Sequence, residues 1–190
     1  MKSGEPVKKQ QIIISGVGGQ GVLFVTRLLA EVAIRNGLEV MSSETHGMAQ
    51  RGGIVVSHLK VGGFAGPLVR AGRADVMLAL KEENLSLHRP FLRDKGWAAV
   101  NAPSPPGNGN GICVHALNAD RLAKESGLPR GVNLIMLGFL LAEGSPFPFF
   151  CGPGQVRSVL ESGTGKTASD SLRAMELGLI HGKQHYEEMG

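Results

Sequence analysis

Short apolar runs alternate with amphipathic segments along this chain, beginning close to its N-terminus. Residues 12–14 are three β-branched apolar residues, which predict a short buried strand. Residues 21–36 place apolar side chains on one helical face and charged ones on the other, and Gly37 supplies a stop signal. A second strand is predicted at 38–42. The three elements therefore form a β–α–β unit, for which parallel strands and a right-handed crossover are expected.

The rest of the chain continues this alternation. Further strands are predicted at 54–61, 75–80, 96–101 and 112–115, and further helices at 82–92, 118–126, 132–142, 155–161 and 169–180. Only a loop separates the strand at 54–61 from its predecessor, which allows an antiparallel addition to the sheet. The predicted fold is α/β with three layers: a mostly parallel (mixed) sheet, helices on both faces and a Rossmann-like start. Residues 1–190 are expected to form a single domain.

Composition and charge make some classes of protein function improbable for this chain. An apolar content of 42% with 19% charged residues is ordinary for a globular protein, so a packed core is expected. The net charge of +4 is mildly basic, but the basic residues are scattered and not interleaved with aromatic ones, so nucleic acid is not an expected partner. No apolar run reaches about 18 residues, and the N-terminus lacks the apolar segment of a signal peptide. A cytoplasmic protein without a membrane segment is expected.

Potential metal ligands are sparse in this sequence. The two cysteines, Cys113 and Cys151, lie far apart and form no C-x-x-C motif. This chain alone is therefore not expected to hold zinc or an iron–sulfur cluster, although a disulfide between the two is left open. His181 and His185 have i,i+4 spacing, but the sequence places them in a charged C-terminal tail with no third ligand. No metal site is predicted.

The most distinctive stretch is 16–21, Gly-Val-Gly-Gly-Gln-Gly, between the first predicted strand and the first predicted helix. It fits the G-x-G-x-x-G pattern, in which residues without Cβ let backbone N–H groups approach a ligand and the helix N-terminus favours an anion. Three interpretations stay open. The loop could bind a dinucleotide, with Glu44 near the end of the second strand binding ribose. It could instead approach another anionic group or another subunit, or be a tight structural turn.

A second polar loop, residues 44–53, is dense in functional side-chain types. Glu44, His46, Gln50 and Arg51 fall in a loop expected at the carboxyl ends of the strands, where ligands of open α/β sheets bind. One interpretation is contact with an anion or substrate, with Arg51 as a forked donor and His46 as a hydrogen-bonding group. The alternative is a solvated loop without a ligand.

The segment 145–150 combines alternating prolines with three phenylalanines, Phe147, Phe149 and Phe150. The prolines exclude a helix. Because a cluster of exposed aromatic rings is unfavourable in water, the phenylalanines are expected either to fill the core or to contact a partner.

The two loops together resemble the 2-oxoacid:ferredoxin oxidoreductase family. The pair formed by 16–21 and 43–53 (Ser-Glu-Thr-His-Gly-Met-Ala-Gln-Arg-Gly-Gly) is similar to motifs of its gamma-type subunit. The sequence of the second motif is most similar to that of the beta subunit of the indolepyruvate branch. The similarity continues through 74–80, 133–143 and 171–178, so it spans nearly the whole chain.

The resemblance implies a subunit of an enzyme that oxidises a 2-oxoacid, releases CO₂, forms an acyl-coenzyme A and passes two electrons to ferredoxin. Such a complex uses thiamine diphosphate and 4Fe–4S clusters. This chain has too few cysteines for a cluster and no thiamine diphosphate motif of the G-D-G…N type, so a large partner subunit is expected to hold both. This chain would be the small subunit, inactive alone, that helps to shape the active site and the coenzyme A region.

The resemblance places the functional contacts of this chain in the two loops, which are expected to lie together at the junction with the large subunit. The residues expected to bind a cofactor are Gly16, Gly18, Gly19, Gln20, Gly21, Glu44, His46, Gln50, Arg51 and Gly52. Arg51 and the loop amides would face an anionic group, either substrate carboxylate or a phosphate. No catalytic residue is assigned to this chain. The alternatives are a stand-alone Rossmann-like nucleotide-binding protein, a purely architectural subunit, or the same complex acting on pyruvate, 2-oxoglutarate or a branched-chain 2-oxoacid.

Overall fold

The computed structural model describes residues 9–46, 52–106, 111–146, 148–163 and 166–189. Its strands are β1 (Gln10–Val17), β2 (Val40–His46), β3 (Ile54–Val61), β4 (Ala74–Ala79), β5 (Leu92–Asn101) and β6 (Cys113–Leu117). Its helices are α1 (Val22–Arg35), α2 (Glu82–His88), α3 (Ala119–Glu125), α4 (Val132–Leu141), α5 (Pro153–Glu161) and α6 (Lys166–Glu187).

The strands form one mixed sheet in the order β2-β3-β1-β4-β5-β6. β1, β4, β5 and β6 run parallel, whereas β3 is antiparallel to both of its neighbours, β1 and β2. The predicted α/β class and the antiparallel strand at 54–61 are confirmed.

The predicted β–α–β unit is wrong in one respect, because β1 and β2 point the same way but do not pair. The connection after His46 is too short for a crossover helix, so the next strand returns antiparallel. That strand, β3, then pairs with β1 over its full length, from Gln10 opposite Val61 to Val17 opposite Ile54. β2 is left at the edge of the sheet, so the Rossmann-like start ends after α1.

The two faces of the sheet carry separate apolar layers because side chains alternate along each strand. Ile12 and Ile14 point to the face covered by α1, α3, α4, α5 and α6, where Phe139 is also buried. Ile13 points to the opposite face, which Leu85 of α2 helps to cover. Helices therefore lie on both faces, as predicted, although most of them share one face.

α4 is apolar on all sides because it packs between the sheet and α6. Every residue from Asn133 to Leu141 is buried, which confirms the predicted buried helix. The two helices approach closely at glycines: a Cβ on Gly138 or on Gly178 would overlap a backbone carbonyl oxygen of the facing helix. Although α4 is apolar, none of the helices in the described ranges is long and apolar enough to cross a membrane.

α6 continues beyond the predicted end at Ile180 and reaches Glu187. His181 and His185 therefore belong to a helix, and the prediction of a charged tail is wrong. The helical pattern is hard to see in the sequence because a glycine, Gly182, takes the place of an apolar side chain where α6 contacts α4. A missing side chain permits this close packing but leaves no hydrophobic signal.

Pro90 ends the helical segment after β4 earlier than predicted. α2 stops at His88, a 3-10 turn covers Arg89–Phe91, and β5 begins at Leu92. The prediction of a helix to residue 92 and of a strand only from 96 is corrected accordingly. Proline lacks the N–H that would continue the α-helical hydrogen bonds.

Phe150 fills the core. It is buried, and its backbone N–H donates to Gln10 Oε1 at 3.2 Å. The half-buried ring of Phe149 lies 4.9 Å from that of Phe150, between centroids. The core interpretation is thus confirmed for Phe150, whereas Phe147 lies outside the described residues.

Candidate functional site

The two predicted loops meet at the carboxyl edge of the parallel strands. The backbone N–H of Gly18, just after β1, donates to the carbonyl oxygen of Gly53, just before β3, at 2.9 Å. His46 ends β2 opposite Val55, so its backbone belongs to the same edge. The expectation that the two loops lie together is confirmed at this hydrogen bond.

The second loop lies only partly within the described residues. Gly52 is described and has a φ of 79°, a left-handed conformation that favours glycine, whereas Gln50 and Arg51 lie outside. Glu44 is exposed on β2, and β3 separates it from β1. In a dinucleotide fold the acidic residue ends the strand beside the glycine loop. Here β3 occupies that place, so Glu44 lacks the ribose-binding arrangement.

Gln20 is held inside the fold by both ends of its side-chain amide. Its Oε1 accepts the backbone N–H of Val17 at 2.7 Å, and its Nε2 donates to the carbonyl oxygen of Leu80 at 3.1 Å. The amide therefore ties the glycine loop to the end of β4. The sequence singled out Gln20 for ligand contact, but its described contacts are with its own chain.

Asn101 is a site-shaping residue that the sequence analysis missed. Its Nδ2 donates to the same carbonyl oxygen of Leu80 at 3.1 Å, and its Oδ1 accepts the backbone N–H of Ala119 at 2.9 Å. The ends of β4 and β5 and the start of α3 are joined in this way. An asparagine that ends a strand was the one available signal, and it is weak because asparagine is common in loops.

The glycines of the first loop divide into packed and open positions. A Cβ on Gly16 would lie 2.9 Å from a valine methyl carbon of α1, and one on Gly21 would overlap the side-chain amide of Asn133. By contrast, a Cβ on Gly18 would have its nearest contact at 3.7 Å, and one on Gly19 would meet nothing within 4 Å. α1 also begins without a side-chain cap. The Gly18–Gly19 backbone is therefore the part of the loop that another molecule can approach.

A cleft of about 360 Å³ adjoins the glycine loop. Asn133 connects the two, because it lines the cleft and its Nδ2 donates to the carbonyl oxygen of Gly21 at 3.4 Å. Phe24, which is 45% exposed, forms part of an apolar wall, and Arg130 adds a positive charge. Asp170 lines the same cleft, so its wall combines apolar surface with one charge of each sign.

A histidine pair links β6 to the end of α6. His115 Nδ1 lies 3.0 Å from His185 Nε2, and His115 Nε2 lies 3.2 Å from Cys113 Sγ. Burial, and then the neighbouring His185, lowers the pKa of His115 to about 4. Burial also lowers the pKa of His185 and raises that of the Cys113 thiol. The pair is therefore neutral at pH 7, and it packs the ring of Tyr186 against the sheet.

Acid is expected to weaken the fold through His115. Its pKa is about 4 in the folded chain and close to 6.5 in an unfolded one, so the unfolded state binds more protons between these values. The free energy of unfolding should fall by roughly 2–3 kcal/mol from this group as the pH drops from about 6.5 to about 4. Denaturant titrations across that range measure the slope.

The control for the acid effect is His115→Asn, which removes the titrating group. The slope of unfolding free energy against pH should then flatten relative to the wild type. His58 and His88 also have pKa values lowered by burial, but they are present in both proteins, so the difference reports on His115 together with its partner His185. Equal slopes in the two proteins would contradict this role.

The cysteines do not fit an iron–sulfur cluster. Both are free, so the disulfide that the sequence left open is not formed. Cys151 is buried in the core, where burial raises the pKa of its thiol to about 12. Within the described ranges, no three Asp, Glu, His or Cys side chains are grouped to hold a metal ion.

The fold and site together define a mixed-sheet α/β domain that presents an open glycine loop, joined to a second loop, without the ribose site of a dinucleotide fold. The chain belongs to the pyruvate ferredoxin/flavodoxin oxidoreductase family, whose model matches residues 11–179. The resemblance inferred from the two motifs is thereby confirmed.

Curated relatives match this chain over almost its whole length. The indolepyruvate oxidoreductase subunit IorB of Archaeoglobus fulgidus is 31% identical over 88% of this chain and 92% of its own length. Because the match is to a complete separate subunit, the chain corresponds to the small subunit of a multi-subunit 2-oxoacid:ferredoxin oxidoreductase. Larger partner subunits are implied.

Solved structures share the fold. The gamma subunit of a keto/oxoacid ferredoxin oxidoreductase from Geobacter sulfurreducens has a TM-score of 0.70 at 22% identity, covering 92% of this chain and 98% of that one. The 2-oxoglutarate:ferredoxin oxidoreductase of Magnetococcus marinus, solved with 2-oxoglutarate, coenzyme A and succinyl-CoA bound, has a TM-score of 0.74 at 20% identity. That match covers 96% of this chain but only 32% of the Magnetococcus chain, so the same fold also occurs as one part of a longer polypeptide.

Proposed function

We propose that this chain is the small subunit of an indolepyruvate-type 2-oxoacid:ferredoxin oxidoreductase. In this reaction the 2-oxoacid is oxidised and loses CO₂, coenzyme A becomes an acyl thioester, and two electrons pass to ferredoxin. The observation that carries the proposal is the 31% identity to an indolepyruvate oxidoreductase subunit over 88% of this chain. The hydrogen bond from Gly18 to Gly53, which joins the two family motifs beside open backbone, supports it. The large subunit supplies thiamine diphosphate and the iron–sulfur clusters.

Within this proposal, the chain contributes hydrogen-bond donors for an anionic group at the subunit junction. The open backbone at Gly18 and Gly19 allows close approach, and the uncapped N-terminus of α1 favours negative charge. Arg51 adds a forked donor, and His46 adds a further hydrogen bond. The anionic group is the substrate carboxylate or a phosphate of coenzyme A.

The remaining predicted residues have different parts in this proposal. Gly16, Gly21 and Gln20 shape the loop from within, since their contacts are with their own chain. Gly52 turns the second loop towards the first. Glu44 and Gln50 stay predictions from the family resemblance, without a role derived from their contacts.

The proposed substrate follows from the relatives. The Archaeoglobus subunit is named for indolepyruvate. The sequence of the second motif also resembles that of the indolepyruvate branch. Pyruvate, 2-oxoglutarate and branched-chain 2-oxoacids are the competing substrates. We further propose that residues 1–190 form one gamma-type domain and that the enzyme works in the cytoplasm with ferredoxin.

Replacement of Arg51 by Ala is expected to lower kcat/KM for the 2-oxoacid or for coenzyme A by about tenfold or more in the assembled complex. The reason is the loss of a charge-assisted contact to the anionic group. Steady-state kinetics with each substrate varied in turn show which one Arg51 contacts. Arg121→Ala, an exposed arginine of α3, is the matched control and should behave as the wild type.

Unchanged kinetics in an assembled Arg51→Ala complex would contradict this role and leave the loop as scaffold.

The competing stand-alone function is tested separately. The isolated chain is titrated with NAD(P)H, FMN and ATP, and no tight binding is expected because β3 displaces Glu44 from the ribose position. Tight binding of any of these would favour the nucleotide-binding alternative.

A further inference from the structure

Two lysines lie beside one aromatic ring, and an arginine lies near one of them, at the end of the sheet opposite the glycine loop. Lys9 Nζ lies 4.6 Å from the centroid of the Phe64 ring, and Lys60 Nζ lies 5.1 Å from it. Arg70 is close enough to lower the pKa of Lys60, in addition to the larger lowering by burial. We call Lys9, Lys60 and Arg70 the cation cluster.

The cation cluster has no ion pair within the described part of the chain, and the nearby carboxylate of Glu39 lies against Gly63. Other cations do form ion pairs: Arg93 pairs with Asp75 at 2.6 Å. Lys60 is only 8% exposed as a whole residue, so its aliphatic stem is packed, and burial lowers the pKa of its ammonium group. Burial of a charge is unfavourable unless an opposite charge or hydrogen-bond acceptor compensates it.

The cation cluster is well separated from the candidate site. Lys60 lies opposite Gln11, at the amino end of β1, whereas the glycine loop follows the carboxyl end of that strand at Val17. A strand rises about 3.3 Å per residue, so the two regions lie roughly 20 Å apart. A contact at the cation cluster can therefore be tested without disturbing the loops.

Apolar side chains accompany these charges. Phe64 is half-buried with both ammonium groups near its ring, and Leu68, in the same 62–73 segment, is 56% exposed. A free phosphate would satisfy only the charge. A protein surface with acidic side chains would also cover the apolar ones, which is the usual composition of an interface core and its rim.

We propose that the cation cluster receives acidic side chains of the larger partner subunit. The proposal rests on the chain being one subunit of a larger assembly, but not on the identity of the 2-oxoacid. Carboxylates from the partner would pair with Lys9, Lys60 and Arg70, and the partner's apolar surface would cover Phe64 and Leu68. Charge complementarity of this kind speeds encounter and fixes the orientation of the subunits.

Zero-length carbodiimide cross-linking of the assembled complex tests this docking directly, because it joins a lysine only to a carboxylate in contact with it. Peptide mass spectrometry is expected to find Lys9 or Lys60 linked to an Asp or Glu of the large subunit. Links from these lysines only to a second copy of this chain would overturn the proposal, as would links from other lysines alone. The readout is assembly and not turnover, so it stands apart from the proposed reaction.

A charge-reversal double variant provides the second test. The double variant Lys9→Glu/Arg70→Glu changes two exposed side chains, and the dissociation constant for the large subunit is expected to rise about tenfold or more at low salt. The difference should shrink at high salt, because salt screens exposed charges. The control is Lys124→Glu, an exposed lysine of α3, which should bind as the wild type. Equal affinity of the double variant and the control for the large subunit would overturn the proposal. A double variant that loses only the binding of added inorganic phosphate, with unchanged affinity for the large subunit, would overturn it as well.

Discussion

Replacing Gly18 with Ala is expected to lower the turnover of the assembled complex by about tenfold or more while leaving the isolated chain as stable as the wild type. The chain itself tolerates the change: a Cβ there has ordinary contact distances, 3.7 Å to the carbonyl oxygen of Gly53, and the backbone is not left-handed. An added methyl group would instead occupy the space through which a ligand or partner approaches the loop. Steady-state turnover of the complex and denaturant unfolding of the isolated chain measure the two effects.

The control for this experiment is Gly154→Ala in α5, since a Cβ on Gly154 would meet nothing within 4 Å and the position lies far from the loop in sequence. Both variants add one methyl group at an open glycine, but only Gly18 lies at the meeting point of the loops. Wild-type turnover in the Gly18→Ala complex would refute close approach at this loop. The same loss in the Gly154→Ala complex would show that the effect is not specific to the loop.

Replacing Gly178 with Ala is expected to lower the free energy of unfolding by about 3 kcal/mol or more, the largest stability effect that the fold predicts. A Cβ on Gly178 would overlap the carbonyl oxygen of Ile135 in α4, and backbone atoms cannot move aside as a flexible side chain can. α6 would have to shift away from α4. Chemical denaturation of the isolated chain, followed by circular dichroism, gives the change.

The helical glycine Gly154 again serves as the comparison. Gly154→Ala should be neutral or stabilise the chain by up to about 1 kcal/mol, because alanine has the higher helix propensity and the position is open. Opposite effects of one substitution type at two helical glycines would assign the loss at Gly178 to packing. A stable Gly178→Ala chain would mean that α4 and α6 are not in backbone contact.

Much of the fold could be predicted because its signals are local. The β-branched run at 12–14 and the apolar segment at 132–142 are buried elements, as their patterns predict. The order of the strands could not be predicted in the same way. It depends on the short connection after His46, which lets β3 return beside β1 and pushes β2 to the edge.

The end of α6 shows why a periodic pattern can miss a helix. Gly178 and Gly182 make the buried face through the absence of side chains, so the contact leaves no hydrophobic signal. His185 looks like part of a polar tail in the sequence, yet it contacts His115 across the fold. Contacts between residues so distant in sequence follow from tertiary packing, which a one-dimensional pattern does not encode.

The location of the candidate site could be predicted from the sequence. Which of its residues face a ligand and which hold the loop in place could not. The motif loops do meet, through Gly18 and Gly53, as the family resemblance implied. Gln20 could not be separated from a ligand-binding residue by sequence, because only the fold brings the carbonyl oxygen of Leu80 to it. Asn101 was missed for the same reason, since its partner at Leu80 and the start of α3 come together only in the folded sheet.

The most direct test of the central claim is the rate of coenzyme A-dependent ferredoxin reduction by the cognate large subunit, measured with and without this chain. We expect indolepyruvate oxidation to rise by about tenfold or more when the chain is added in equal amount. We also expect the kcat/KM for indolepyruvate to exceed that for pyruvate, 2-oxoglutarate and a branched-chain 2-oxoacid. A large subunit that is equally active alone would contradict the account of this chain as a required small subunit.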